Sequence, residues 1–138
     1  MAKTVTFDAK EVLGKEYTVI DSNKNIKIVS KGMRNLLEAI DNYETKQAKE
    51  EKPVTVMDYV EIIDENVIAE TGKLLGLTKT ETAKLEDMSY SDVFKFYSKV
   101  VNDFLAMKVP NPTDIQNGIK AMNEVANEEK DPKSKEDK

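Results

Sequence analysis

The chain has 138 residues, the size of one ordinary domain, and its 39% hydrophobic and 34% charged residues predict a soluble fold with one modest core. It contains no cysteine and no histidine, which excludes disulfides, thiolate chemistry, imidazole metal ligands and a histidine-based triad. A formal net charge of -5 opposes binding to nucleic acid, and no apolar run reaches the ~20 residues that a membrane span needs. We therefore expect a cytoplasmic protein without nucleic-acid or membrane partners.

The first 30 residues are β-prone. Residues 3 to 8 and 16 to 20 are rich in Val, Thr, Tyr and Ile, and Asn25 to Val29 alternates polar with apolar residues, as a half-buried strand does. Because residues 21 to 25 are turn formers, the pattern predicts a hairpin between Glu16 to Ile20 and Ile26 to Val29.

Residues 31 to 127 are predicted to be helical. A first helix begins at Ser30 or Lys31, with Met33, Leu36, Leu37, Ile40 and Tyr43 on one face. The stretch from Glu44 to Lys52 has no large apolar residue and precedes Pro53, so it is expected to be a frayed end and linker.

The middle of the chain carries two helix-start signals. Thr55 can cap a second helix that continues to about Gly72, which offers a stop and, with Gly76, suits a helix end. Thr78 and Glu81 match a capping box, which predicts a short helix over residues 79 to 87.

Two more helices are predicted before the end. Ser91 and Asp92 open one that carries the widest apolar stripe, and Thr113 can cap a last helix with Ile115, Ile119, Met122 and Val125 in register. Residues 128 to 138 contain no apolar residue and are expected to be a disordered charged tail. The predicted fold is thus a single mainly α domain over 1 to 127, with about five helices.

Chemistry-bearing motifs are few. The tightest acidic cluster is Asp58, Glu61, Asp64 and Glu65, which could hold a hard cation or act as acid and base, but such runs usually form the solvated face of an amphipathic helix. There is no Walker motif and no GxGxxG, so we expect neither a cofactor nor an enzyme.

A DNA-binding alternative rests on residues 72 to 101, whose short helices could form a helix-turn-helix. Lys73, Lys79 and Lys84 are offset by Glu81, Glu86 and Asp87, and the segment contains no arginine, the residue that most often reads guanine. An acidic regulatory or DNA-mimic binding module is the stronger alternative.

The apolar stripes favour binding to another protein. Each helix carries one and none is obviously central, so some should face a partner or a second copy of the chain. The candidate partner-binding residues are Phe94, Tyr97, Val101, Phe104, Leu105, Ile115, Ile119 and Met122.

Three segments resemble a known family: Met33 to Tyr43, Met57-Asp58-Tyr59-Val60-Glu61-Ile62-Ile63, and Tyr90-Ser91-Asp92-Val93-Phe94-Lys95-Phe96-Tyr97. With the β-prone N-terminus, they make residues 10 to 108 similar to the tail assembly chaperones of siphophages that infect Gram-positive hosts. The resemblance implies a cytoplasmic helper that coats the tape measure protein until tail tube subunits replace it. It also implies self-assembly into rings or spirals and, in many members, a frameshifted longer form.

Overall fold

The computed structural model describes residues 2–111 and 113–121. Strand β1 (Thr4–Ala9) pairs antiparallel with β2 (Lys15–Ile20), in a register that places Thr4 opposite Ile20 and Ala9 opposite Lys15. The single-turn helix α1 (Lys10–Leu13) joins them and ends at Gly14, whose φ of 77° is readily adopted only by glycine. The inward side chains Val5, Phe7 and Ala9 are buried.

The predicted hairpin of Glu16 to Ile20 with Ile26 to Val29 is wrong, because β2 pairs with the strand before it and helix α2 already starts at Asn23. The Ser22 hydroxyl caps α2 by accepting from the Asn25 amide at 3.1 Å. Ile26, Val29 and Met33 also follow the helical period, so the alternation over so few residues does not identify a strand.

Helix α2 (Asn23–Lys49) is longer than predicted at both ends. The polar stretch from Glu44 stays helical, and two contacts join it to the chain that follows: Glu44 accepts from the Tyr59 hydroxyl at 2.6 Å, and Gln47 donates to the Pro53 carbonyl at 2.8 Å. The helix ends where Glu51 adopts a φ of 54° and the Lys52 amide donates to the Gln47 carbonyl at 2.9 Å.

Helix α3 (Val56–Leu75) begins at the predicted cap, with the Asp58 amide donating to the Thr55 hydroxyl at 3.2 Å. The predicted stop at Gly72 is wrong. The helix continues to Leu75 and ends at Gly76, whose φ is 69°. Gly72 is instead buried, where a Cβ would collide with the side chain of Thr82. The absence of a side chain at position 72 allows α3 to pack closely on the next helix.

The capping box of Thr78 and Glu81 is confirmed at the start of α4 (Lys79–Lys84), which a 3-10 turn (Leu85–Asp87) extends. Helix α5 (Tyr90–Leu105) starts one residue before the predicted Ser91, capped by Ser89.

The last described helix, α6, covers residues 113–121. Its cap is Asn111, whose side-chain oxygen accepts from the Asp114 amide at 2.9 Å, and not the predicted Thr113. Met122, Val125 and the predicted tail lie outside the described residues.

Helices α2, α3 and α5 pack around one core, and the sheet covers it from the side of α5, where Phe7 and Phe96 have ring centroids 4.6 Å apart. The predicted mainly helical class with short N-terminal strands is confirmed. Among the described helices, none combines the length and apolar character needed to cross a bilayer.

Candidate functional site

An apolar groove lies between α2 and the chain that follows α5; we call it the α2 groove. It consists of two adjoining cavities of about 400 and 590 Å³, and Leu37 lines both. Its apolar walls include Leu37, Ile40, Leu105, Met107, Ile115 and Ile119.

The end of α5 positions the far wall of this groove. Ala106 takes a left-handed conformation with a φ of 55°, which ends α5 and turns the chain. Val109 then anchors the segment in the core, where it is buried, and Asn111 starts α6 immediately afterwards. Leu105, Ile115 and Ile119 are thereby set on the groove beside α2.

Leu37 marks the centre of the groove. Its side chain is 45% exposed, while the adjacent Leu36 is 1% exposed and belongs to the core. Helix α2 therefore carries an apolar stripe wider than its core contacts require. An exposed leucine that lines two adjoining apolar cavities indicates a surface able to take up an apolar partner.

The rim of the α2 groove is acidic. Glu38, Asp41 and Glu44 recur every three residues along α2, and all three line the groove. Arg34 is the single basic residue among the described residues that line it. The groove thus combines an apolar floor with a negative edge.

A pair of tyrosines fixes the floor at the Glu44 end. The Tyr59 hydroxyl donates to Glu44 at 2.6 Å, and the Tyr43 hydroxyl donates to Asp58 at 2.7 Å and accepts from the Thr55 amide at 3.0 Å. Burial raises the pKa of Tyr59, and its bond to Glu44 raises it further. Burial and then Asp58 raise the pKa of Tyr43, while that hydroxyl lowers the pKa of Asp58. Both phenols therefore remain donors at neutral pH.

The structure separates the predicted partner-binding residues into groups. Tyr97 and Val101 are 1% and 0% exposed, so they form core and a partner cannot reach them in this conformation. Phe94 and Phe104 pack partly buried against the core without lining the groove. Leu105, Ile115 and Ile119 do line it, and Met122 lies outside the described residues.

Sequence reasoning missed the central residue and the rim. The periodicity groups Leu37 with Leu36 on one face of a core helix, although adjacent residues point about 100° apart around a helix. That adjacency was the available signal. In the sequence, Glu38 and Asp41 look like the ordinary solvated face of a helix. Only the fold brings them near Met107 and Ile119, so the sequence carries no signal for an acidic rim.

The acidic cluster noted in the sequence does not form a single site. Asp58 accepts from Tyr43, whereas Glu61 and Glu65 are exposed. Asp64 lines a separate cavity of about 80 Å³ beside Tyr90, where burial, followed by Glu86 and Glu65, raises its pKa. Within residues 2–111 and 113–121, no three acidic side chains are grouped so that they could hold a metal ion.

No protein-family model, curated protein or solved structure matches this chain.

Proposed function

We propose that this protein is a tail assembly chaperone that holds an amphipathic helix of a siphophage tape measure protein in its α2 groove. The observation that carries the binding mode is the pair of apolar cavities that share Leu37, whose side chain is 45% exposed. The resemblance to tail assembly chaperones supplies the identity of the partner.

The apolar lining of the α2 groove suits an amphipathic helix as its occupant. Residues of α2 line both cavities, and Met107 and α6 contribute lining residues from the chain that follows α5. An amphipathic helix docks in such a groove through apolar residues at positions i, i+3, i+4 and i+7. Leu37 and Ile40, three residues apart on α2, would contact successive turns of that helix.

The charges favour a basic partner helix. Glu38, Asp41 and Glu44 would face Lys or Arg residues that flank the apolar stripe of the bound helix. Complementary charge of this kind mainly accelerates encounter and excludes acidic competitors. The formal net charge of -5 acts in the same direction and helps to keep the complex in solution.

The proposed role follows from the nature of the cargo. A tape measure protein is a long helical chain whose apolar faces would associate with one another before the tail tube surrounds them. Covering these faces with a charged partner prevents that association until tail tube subunits take over. Self-assembly of the chaperone along the cargo is part of this proposal.

The first test is co-expression with a tape measure fragment that is insoluble alone. Leu37→Asp should abolish solubilisation, because it places a charge between the two cavities at a side chain that is not part of the hydrophobic core. Met57→Asp is the matched control, since Met57 is 70% exposed and lines neither cavity of the groove. Ile119→Asp tests the opposite wall. Equal rescue by Leu37→Asp and Met57→Asp would overturn the groove assignment.

A second test concerns the rim. Glu38→Lys with Asp41→Lys should slow association with the fragment at low salt by roughly tenfold, as expected for charges that steer encounter. Glu61→Lys with Glu65→Lys makes the same change in net charge at exposed sites outside the groove and should have a much smaller effect. If wild-type protein never solubilises the fragment, the chaperone proposal is wrong. A groove that mediates only self-association would also contradict it.

A further inference from the structure

Strand β1 has one unpaired edge. The Asp21 amide donates to the Lys3 carbonyl at 3.1 Å, which makes these two opposite residues a hydrogen-bonded pair. Such pairs alternate with non-bonded pairs along an antiparallel ladder. Val5 and Phe7 therefore bond to β2, while the N–H and C=O groups of Thr4, Thr6 and Asp8 point away from it.

These outward groups remain available. Within residues 2–111 and 113–121, no other segment donates to or accepts from the backbone of Thr4, Thr6 or Asp8. The outer edge of β2 differs, because the Asn25 side chain donates to the Ile20 carbonyl at 2.9 Å. The β1 edge is consequently the more open of the two edges of the sheet.

The free edge faces a groove against α5, which we call the β1 groove. It has a volume of about 500 Å³ and is lined by consecutive residues of β1, from Val5 to Asp8, which places its opening along the strand edge. Met88 and Phe96 contribute apolar surface, and Asp92, Lys95 and Lys99 line the α5 side.

The two ends of the β1 groove differ in charge. Lys3 donates to the Asp103 carbonyl at 3.2 Å, so β1 runs antiparallel to α5. Lys99 therefore lies toward the Thr4 end, where it is already engaged by Asp103 at 3.0 Å. Asp8, Glu11 and Asp92 lie at the other end. Lys10 at that end is already engaged by Glu16 at 3.2 Å.

We propose that the free edge of β1 binds an extended peptide segment of a partner protein, which adds to the sheet as a third strand. The row of outward N–H and C=O groups determines that the occupant is a strand, since only an extended backbone can match their spacing. Its alternate residues are apolar where they face Phe96 and Met88. In the antiparallel orientation it carries a basic residue at its N-terminal end, which lies beside Asp8, Glu11 and Asp92. This site is separate from the α2 groove and does not depend on the chaperone role.

The test uses a capped synthetic peptide, Lys-Val-Thr-Val-Thr-Val-Thr, added to the full-length protein. Binding should protect the Thr6 and Asp8 amides from hydrogen exchange and shift their amide resonances. Thr6→Pro removes one outward donor but no bond to β2, as proline is tolerated on a strand edge. It should weaken binding at least tenfold. Thr6→Val is the matched control, because it also loses the contact of the Thr6 and Thr18 hydroxyls at 3.3 Å but keeps the backbone donor, and its affinity should stay within twofold.

Three results would overturn the proposal. The first is equal binding by Thr6→Pro and Thr6→Val when circular dichroism shows both to be folded. The second is the absence of protection at Thr6 and Asp8 at millimolar peptide. The third is protection of these amides in the protein alone, because the edge would then be occupied by this chain or by a second copy. The same peptide with proline in place of its first threonine should not bind, because the amides of its threonines face β1 and those of its valines do not.

Discussion

Tyr43 and Tyr59 meet edge to face with ring centroids 5.2 Å apart, and each hydroxyl donates to a carboxylate on the helix that carries the other ring. Tyr43 of α2 donates to Asp58 of α3, and Tyr59 of α3 donates to Glu44 of α2. This reciprocal pair joins the C-terminal part of α2 to the start of α3. Because Tyr59 and Glu44 also line the α2 groove, the pair sets its floor before a partner arrives.

The first prediction compares two buried tyrosines. Tyr59→Phe should lower the free energy of unfolding by roughly 1.5 kcal/mol, because it removes a hydrogen bond to a charged group. Tyr97→Phe should be neutral or stabilising, since the Tyr97 hydroxyl is buried and has no hydrogen-bond partner among the described residues. Urea unfolding measures both. Equal losses in the two variants would contradict the role assigned to the Glu44 bond.

The helix caps were predictable from the sequence because short-range contacts determine them. The caps at Thr55 and at Thr78 with Glu81 were predictable, because a side chain three residues from the amide it serves needs no tertiary contact. The partner of β2 was not, because Ile26 to Val29 fits a strand and a helix equally well over so short a run. Pairing of β2 with Thr4–Ala9 instead depends on the turn at Gly14.

The candidate site was only partly predictable for a similar reason. The sequence identifies Leu105, Ile115 and Ile119 as residues of apolar helix stripes. It does not indicate which residues of those stripes lie beside α2. That depends on the left-handed turn at Ala106, and alanine carries no sequence signal for such a turn. Tyr97 and Val101 shared the stripe of Leu105 and became core.

The second prediction concerns alkaline pH. Burial raises the pKa of Tyr59 and of Tyr97, with Glu44 and Glu70 respectively adding to the effect. The stability that their protonated forms contribute is complete below the unfolded pKa of about 10 and is lost as pH rises from there toward the folded values. Urea unfolding should therefore show stability falling above about pH 10. The double variant Tyr59→Phe with Tyr97→Phe should lose less stability above this pH than the wild type does. An unchanged dependence of stability on pH would show that other groups cause the fall.

The third prediction concerns the turn that ends α5. Ala106 adopts a left-handed conformation that is strained for alanine and unstrained for glycine. Ala106→Gly should therefore raise the free energy of unfolding by roughly 0.5–1 kcal/mol. Ala69→Gly makes the same chemical change at an exposed position within α3 and should lower stability by about 1 kcal/mol. Thermal unfolding of both variants checks the opposite signs. A loss in Ala106→Gly would indicate that the turn is not left-handed in solution.

The last prediction concerns a tight contact between the core helices, at Gly32 of α2. A Cβ at this position would lie 2.5 Å from the Tyr97 hydroxyl oxygen and 2.9 Å from the Oε1 atom of Glu70, so these two side chains or their helices would have to move. Gly32→Ala should therefore lower the free energy of unfolding by about 1–2 kcal/mol, although alanine is the better helix former. Gly118→Ala is the matched control, because no described atom lies within 4 Å of the added Cβ, and it should be neutral or stabilising.

The cause of that loss can be tested with a second substitution. Since the Tyr97 hydroxyl is the nearest atom, Gly32→Ala should cost less in a Tyr97→Phe background than in the wild type, and a double-mutant cycle by urea unfolding measures the difference. Glu70 stays in place, so recovery should be incomplete. Additive effects would show that the hydroxyl is not what the new methyl group meets. A stabilising Gly32→Ala would show that α2 does not approach α3 and α5 this closely.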